Sequence, residues 1–117
     1  MYKFPRDLDL SHLVGTELIE VAIGPYALQL KFEPTNHINI EGRWSLTSPS
    51  GAILDQGNQQ EKKDSYRIHQ LLQKKVVGFT VEDPSTLDVQ FEGNWHLKIF
   101  DDSEKYESVS ISPNIHI

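Results

Sequence analysis

The chain has 117 residues, no cysteine and a formal net charge of -6, with 38% hydrophobic and 24% charged residues. This length accommodates one domain around one core, and the missing cysteines exclude disulfides, thiolate metal sites and cysteine nucleophiles. The acidic balance, with basic residues scattered apart from Lys62-Lys63 and Lys74-Lys75, opposes binding to nucleic acid and to anionic membranes. No apolar run approaches the roughly 20 residues of a membrane span, and no leader-like apolar stretch follows Met1, so a cytoplasmic protein is expected.

In chain order, Leu8 to Gly15 holds Asp9 and Ser11 as caps, Leu10, Leu13 and Val14 at helical spacing and Gly15 as a stop, which predicts one short helical turn. Glu17 to Ile23 reads as a strand ended by Gly24-Pro25. Leu28, Leu30 and Phe32, then Ile38 and Ile40, alternate with polar residues and predict a hairpin. Arg43 to Thr47 is a further strand, closed by Ser48-Pro49-Ser50-Gly51, with Ala52 to Leu54 able to pair back.

Asp55 to Ser65 lacks large apolar residues and predicts a solvated connection. A helix near Tyr66 to Leu72 follows, capped by Asp64 or Ser65, with Ile68, Leu71 and Leu72 on one face and Lys74 and Lys75 near its negative end. Val76 to Val81 is a strand, and Leu87 to Phe100 is a second hairpin. The tail supplies an acidic turn and a last strand with Tyr106, Val109 and Ile111, stopped by Pro113.

The second hairpin repeats the first. Leu13, Leu18, Val21 and Ile23 match Leu71, Val76, Phe79 and Val81 at a separation of 58, and from Leu28 onward the matches hold at 59. The expected architecture is α+β, mainly β: two pseudo-symmetric antiparallel β-meander halves, each introduced by a short helix, packed as a sandwich or a partly open barrel. Residues 1–117 are read as a single domain with an internal repeat of about 11–54 and 66–111.

The Leu13-Val14-Gly15 opening, Trp44 followed by Leu46, and the closing Leu97-Lys98-Ile99-Phe100-Asp101-Asp102 with Tyr106-Glu107-Ser108 resemble a family of small, mostly bacterial, uncharacterised β-domains. Those domains often end in an acidic turn followed by Tyr-Glu-Ser-Trp; here Val109 stands at the Trp position. The resemblance implies a compact, internally duplicated β-domain without an assigned activity, and it carries no catalytic residues across.

His37 and His96 occupy matching places, each one residue off the apolar set. Imidazole is a common metal ligand, and Asn39 and Glu41 share the His37 face, but Lys98 beside His96 opposes a cation. Glu33 with Glu92, and the group Asp101, Asp102, Glu104 and Glu107, offer carboxylates without the spacing of a calcium loop. Trp44 and Trp95 fall in phase with the apolar set and belong to the sheets or line a pocket. No nucleophile elbow, phosphate loop or His-Glu-x-x-His helix is present, and His12, His69 and His116 read as surface residues.

Two functions are compatible with these features. One is a non-enzymatic interaction module that binds a protein partner or associates with itself, without cofactor or metal. The other is a small-molecule-binding or catalytic domain with a pocket between the halves near His37, His96, Trp44 and Trp95. A filled core with the two His far apart favours the first, and a deep cleft with convergent polar groups favours the second.

Overall fold

A computed structural model describes residues 4–24, 27–57, 66–101, 109–113 and 115–117. The strands are β1 (Leu18–Ile23), β2 (Leu28–Phe32), β3 (Asn36–Ile40), β4 (Arg43–Thr47), β5 (Ile53–Gly57), β6 (Val76–Asp83), β7 (Thr86–Phe91), β8 (Trp95–Phe100), β9 (Val109–Ile111) and β10 (Ile115–His116). They form two five-stranded antiparallel sheets, ordered β1-β2-β3-β9-β10 and β5-β4-β8-β7-β6. Alternation decides which face each strand buries: Leu28, Leu30, Phe32, Ile38 and Ile40 of the first sheet and Leu87, Val89, Phe91, Leu97 and Ile99 of the second enter one common core. Phe32 and Phe91 stack there with centroids 6.2 Å apart.

The registers of the two meanders correspond pair by pair. Leu18 opposes Phe32, Val21 opposes Leu30 and Ile23 opposes Leu28; Val76 opposes Phe91, Phe79 opposes Val89 and Val81 opposes Leu87. Both edge strands shift register at the same point, after Leu18 and after Val76. Leu28–Ile40 and Phe32–Asn36 likewise answer to Leu87–Ile99 and Phe91–Trp95.

The meanders meet at a seam where Glu17 bridges Lys75. Leu18 N donates to Lys74 O and Val76 N to Thr16 O, both at 3.0 Å. These two bonds exchange roles under the 58-residue separation, so a local two-fold axis, as at any antiparallel bridge, passes between them. The outer hairpins are crossed over: β4, which follows the first meander, pairs with β8 of the second, whereas β9, which follows the second, pairs with β3 of the first. Each sheet is therefore a meander from one half completed by the hairpin of the other.

The two expected helices are corrected in kind. Leu10 to Thr16 forms successive tight turns, with Leu13 N bonded to Leu10 O, Val14 N to Ser11 O and Thr16 N to Leu13 O. Asp9 Oδ1 accepts the Ser11 N–H at 2.9 Å, and this backbone bond holds its carboxyl below the usual range. The counterpart is one turn of 3-10 helix over Ile68–Leu71, with Leu72 N bonded to His69 O and Lys74 N to Leu71 O. Closure three residues back and a residue of positive φ, Gly15 in one turn and Gln73 in the other, stop both before an α-helix develops.

Leu10, Leu13, Ile68 and Leu71 are buried, but Leu72, expected on the buried face, is exposed. The expected caps Asp64 and Ser65 lie outside the described residues. Across space, the carboxylate of Asp55, 2% exposed on β5, accepts the Arg67 N–H and, at 2.8 Å, the Ile68 N–H. It caps the 3-10 turn from a distant strand.

Phe32→Ala and Phe91→Ala, at equivalent positions in one stack, should each destabilise the protein by about 3–5 kcal/mol in chemical denaturation. A near-neutral value for either would show that the two meanders share the core unequally.

Candidate functional site

Residues that alternate with the core set face outward, and on the second sheet they form an ordered polar array. Cross-strand pairing puts Ser45, Lys98, Asp88 and Thr80 in one row and Thr47, His96 and Gln90 in the next. Asp88 is 6% exposed although it lies on the outer face of β7, because its neighbours cover it. His96 Nδ1 donates to both Asp88 oxygens, at 3.1 and 3.0 Å. Gln90 Nε2 reaches Asp88 Oδ2 at 3.4 Å and Thr80 Oγ1 at 3.0 Å, and Lys98 Nζ pairs with Glu82 at 3.1 Å.

With its Nδ1 proton held by a carboxylate, His96 has Nε2 left to accept or, once protonated, to donate. His96 and Asp88 border an open depression of about 540 Å³ lined by Thr47, Ser48 and Ile53. A second depression, of about 300 Å³, continues from Thr47, Ile53 and Lys98 toward Arg43 and Phe100, where the Arg43 guanidinium lies 4.6 Å above the Phe100 ring.

His37 occupies the equivalent place on the outer face of the first sheet. Gln29 stands where the second sheet has Asp88, so the carboxylate partner of His96 has no counterpart at His37. The His37 backbone is fixed instead by Ser112: His37 N donates to Ser112 Oγ at 3.0 Å and Ser112 N donates to His37 O at 3.1 Å. An open depression of about 450 Å³ on this face is lined by Gln29, Lys31, His37, Asn39, Ser110 and Ile19. Among the described residues Asn39 Oδ1 is buried and has no hydrogen-bond partner, and Lys31 Nζ lies 3.4 Å from Glu20.

The four residues singled out in the sequence thus occupy four places. His37 and His96 lie on the outer faces of different sheets, with the core between them. Trp44 is in the core, 6.2 Å from the Tyr66 ring, and covers Gly57 so closely that a Cβ there would fall 2.0 Å from Nε1. Trp95 is half-buried at the core margin, with Lys74 Nζ 5.8 Å from its ring centroid. Glu92 Oε1 accepts the Lys75 N–H at 2.9 Å, a structural bond at the seam. Asp102, Glu104, Tyr106 and Glu107 lie outside the described residues.

Sequence reading passed over Asp88 and Asp55 as site-forming residues. The available signal was their residue type, since Asp is disfavoured inside strands and needs a local reason to be there. Among the described residues no three His, Asp or Glu side chains come together as a metal-binding group.

These features define a class: a small two-sheet β-protein with a filled interior and polar outer faces. The chain belongs to DUF6188, a family of unknown function, which matches residues 10–112, from the first tight turn to the end of β9. No curated protein and no solved structure matches it. Among the described residues no helix is long and apolar enough to cross a membrane.

Asp88→Ala strips a nearly buried network of its central acceptor and should cost about 1–3 kcal/mol. Gln29→Ala, at the exposed equivalent, should stay within about 0.5 kcal/mol of the parent. Equal losses in parallel denaturation curves would show that the two outer faces are organised alike.

Proposed function

We propose that this protein is a non-enzymatic interaction module whose partner is another protein, bound on its exposed sheet surfaces. The observation that carries this reading is the location of the polar chemistry. Phe32, Phe91 and the other inward side chains occupy the space between the sheets, while His96, Asp88, Lys98, His37 and Asn39 line open depressions on the outside. Protein partners suit shallow, broad and mixed surfaces of that kind, whereas small substrates favour enclosed clefts.

The formal charge of -6 favours encounter with a basic partner, as expected of an accessory or immunity-like neutralising protein. We also infer that the described strands form a sandwich-like single domain, and that its two halves descend from one duplicated unit. The matched registers and the crossed hairpins support that descent.

A second reading, a ligand-binding domain, draws on the depression beside His37, where the buried Asn39 Oδ1 has no hydrogen-bond partner among the described residues. Native mass spectrometry of the protein purified from its own host without chelators separates the two. The interaction reading predicts a co-purifying protein or a second copy, with no metal or small molecule retained. A bound metal or metabolite lost on His37→Ala or His96→Ala would overturn it in favour of the ligand-binding domain.

A further inference from the structure

Six large apolar side chains stand exposed among the described residues, and four of them lie on the segments that meet at the seam: Val14 (42% exposed), Ile19 (52%), Leu72 (38%) and Val77 (57%). They form two equivalent pairs at the 58-residue separation, Val14 with Leu72 and Ile19 with Val77. Val14 and Leu72 each precede the residue of positive φ that ends a tight turn, Gly15 and Gln73. Ile19 and Val77 each follow a buried strand residue, Leu18 and Val76, and are the extra residues at the register shifts of β1 and β6, where both stand exposed.

The bonds from Gly15 N to Val76 O, at 2.7 Å, and from Gln73 N to Leu18 O, at 2.8 Å, set the Val14 turn against the start of β6 and the Leu72 turn against the start of β1. Single exposed aliphatic residues are ordinary on a protein surface. Here exposed aliphatic residues stand on both sides of one seam, Val14 with the start of β6 and Leu72 with the start of β1.

We propose that this seam is the contact surface for a second copy of the chain, in a two-fold dimer. The inference rests on the interaction-module reading and adds to its sheet-face contact a self-association surface at the seam. A two-fold contact uses the same patch on both molecules, so the patch must complement itself. A patch whose halves already correspond across an approximate two-fold presents the same aliphatic groups in either half.

Charge then selects the orientation. Glu17 and Lys75 flank the axis from opposite sides, with Lys75 exposed and Glu17 half-buried. Of the two-folds lying in the contact plane, the one that runs between these residues puts Glu17 of each copy against Lys75 of the other; the perpendicular choice would oppose like charges. The dimer therefore buries the four aliphatic residues of each copy around two reciprocal ion pairs.

Sedimentation velocity of the full chain, over concentrations from about 1 μM to 1 mM, an interval spanning roughly 4 kcal/mol of association free energy, should show a monomer–dimer equilibrium. Ile19→Glu and Val77→Glu should each weaken it by about tenfold or more, because each buries an unpaired charge. Ile23→Glu, at an exposed aliphatic residue at the far end of β1 away from the seam, should leave it unchanged. Glu17→Lys and Lys75→Glu should each weaken the dimer and their combination should restore it, with thermal melts verifying that every variant is folded.

A monomer at every concentration, or a dimer indifferent to both glutamate variants, would overturn the proposal, and a double exchange that fails to restore association would overturn its orientation. A monomer that retains a different protein from its host would overturn the second copy alone and leave the interaction module standing. A monomer with nothing bound would overturn both.

Discussion

The structure depends on one reciprocal set of backbone hydrogen bonds at the seam. Leu18 N to Lys74 O and Val76 N to Thr16 O join the edges of the two sheets, and each tight turn reaches this seam through a left-handed residue, Gly15 or Gln73. At Gly15 that conformation carries no steric penalty; at Gln73 a side chain tolerates it, held by the bond from Gln73 N to Leu18 O. Once the edges are joined, Phe32 and Phe91 face each other across the axis, and β3 and β8 are left as the strands farthest from it that still need partners.

The crossed hairpins supply those partners. Glu41-Gly42 carries the chain out of the first sheet, so that β4 pairs with β8, and the later β9 fills the matching place beside β3. A three-stranded meander with one apolar face is marginal by itself, and here neither meander has its full sheet without strands from the other half. Asp55 adds a further tie, since a strand of the first half caps the turn that opens the second. Stability in such an arrangement belongs to the whole and not to either half.

Much of this was legible in the sequence because alternation is a strong signal: the apolar positions of β2, β3, β7 and β8, and the correspondence between them, follow from residue order. The crossing was not legible. The pattern Trp44, Leu46 reports which face β4 buries and says nothing of which strand it pairs with. The expected helices became tighter turns because the spacing of Leu10, Leu13 and Val14 suits a single turn of either kind, and the hydrogen-bond partner that distinguishes them is not encoded in spacing. At the candidate site, the matched His residues were visible, but their different surroundings were not. Asp88 against Gln29 is one substitution between equivalent places, and its effect depends on the burial that His96 and Gln90 provide.

Native-state hydrogen exchange followed by NMR tests the interlocked architecture most directly. If each sheet is completed by the other half, the amides of Leu30, Ile38, Val89 and Leu97 should exchange only through global unfolding, with one common free energy and one common denaturant dependence. Protection of the first meander lost at a distinctly lower free energy than that of the second would contradict the interlock and show two sheets that open independently.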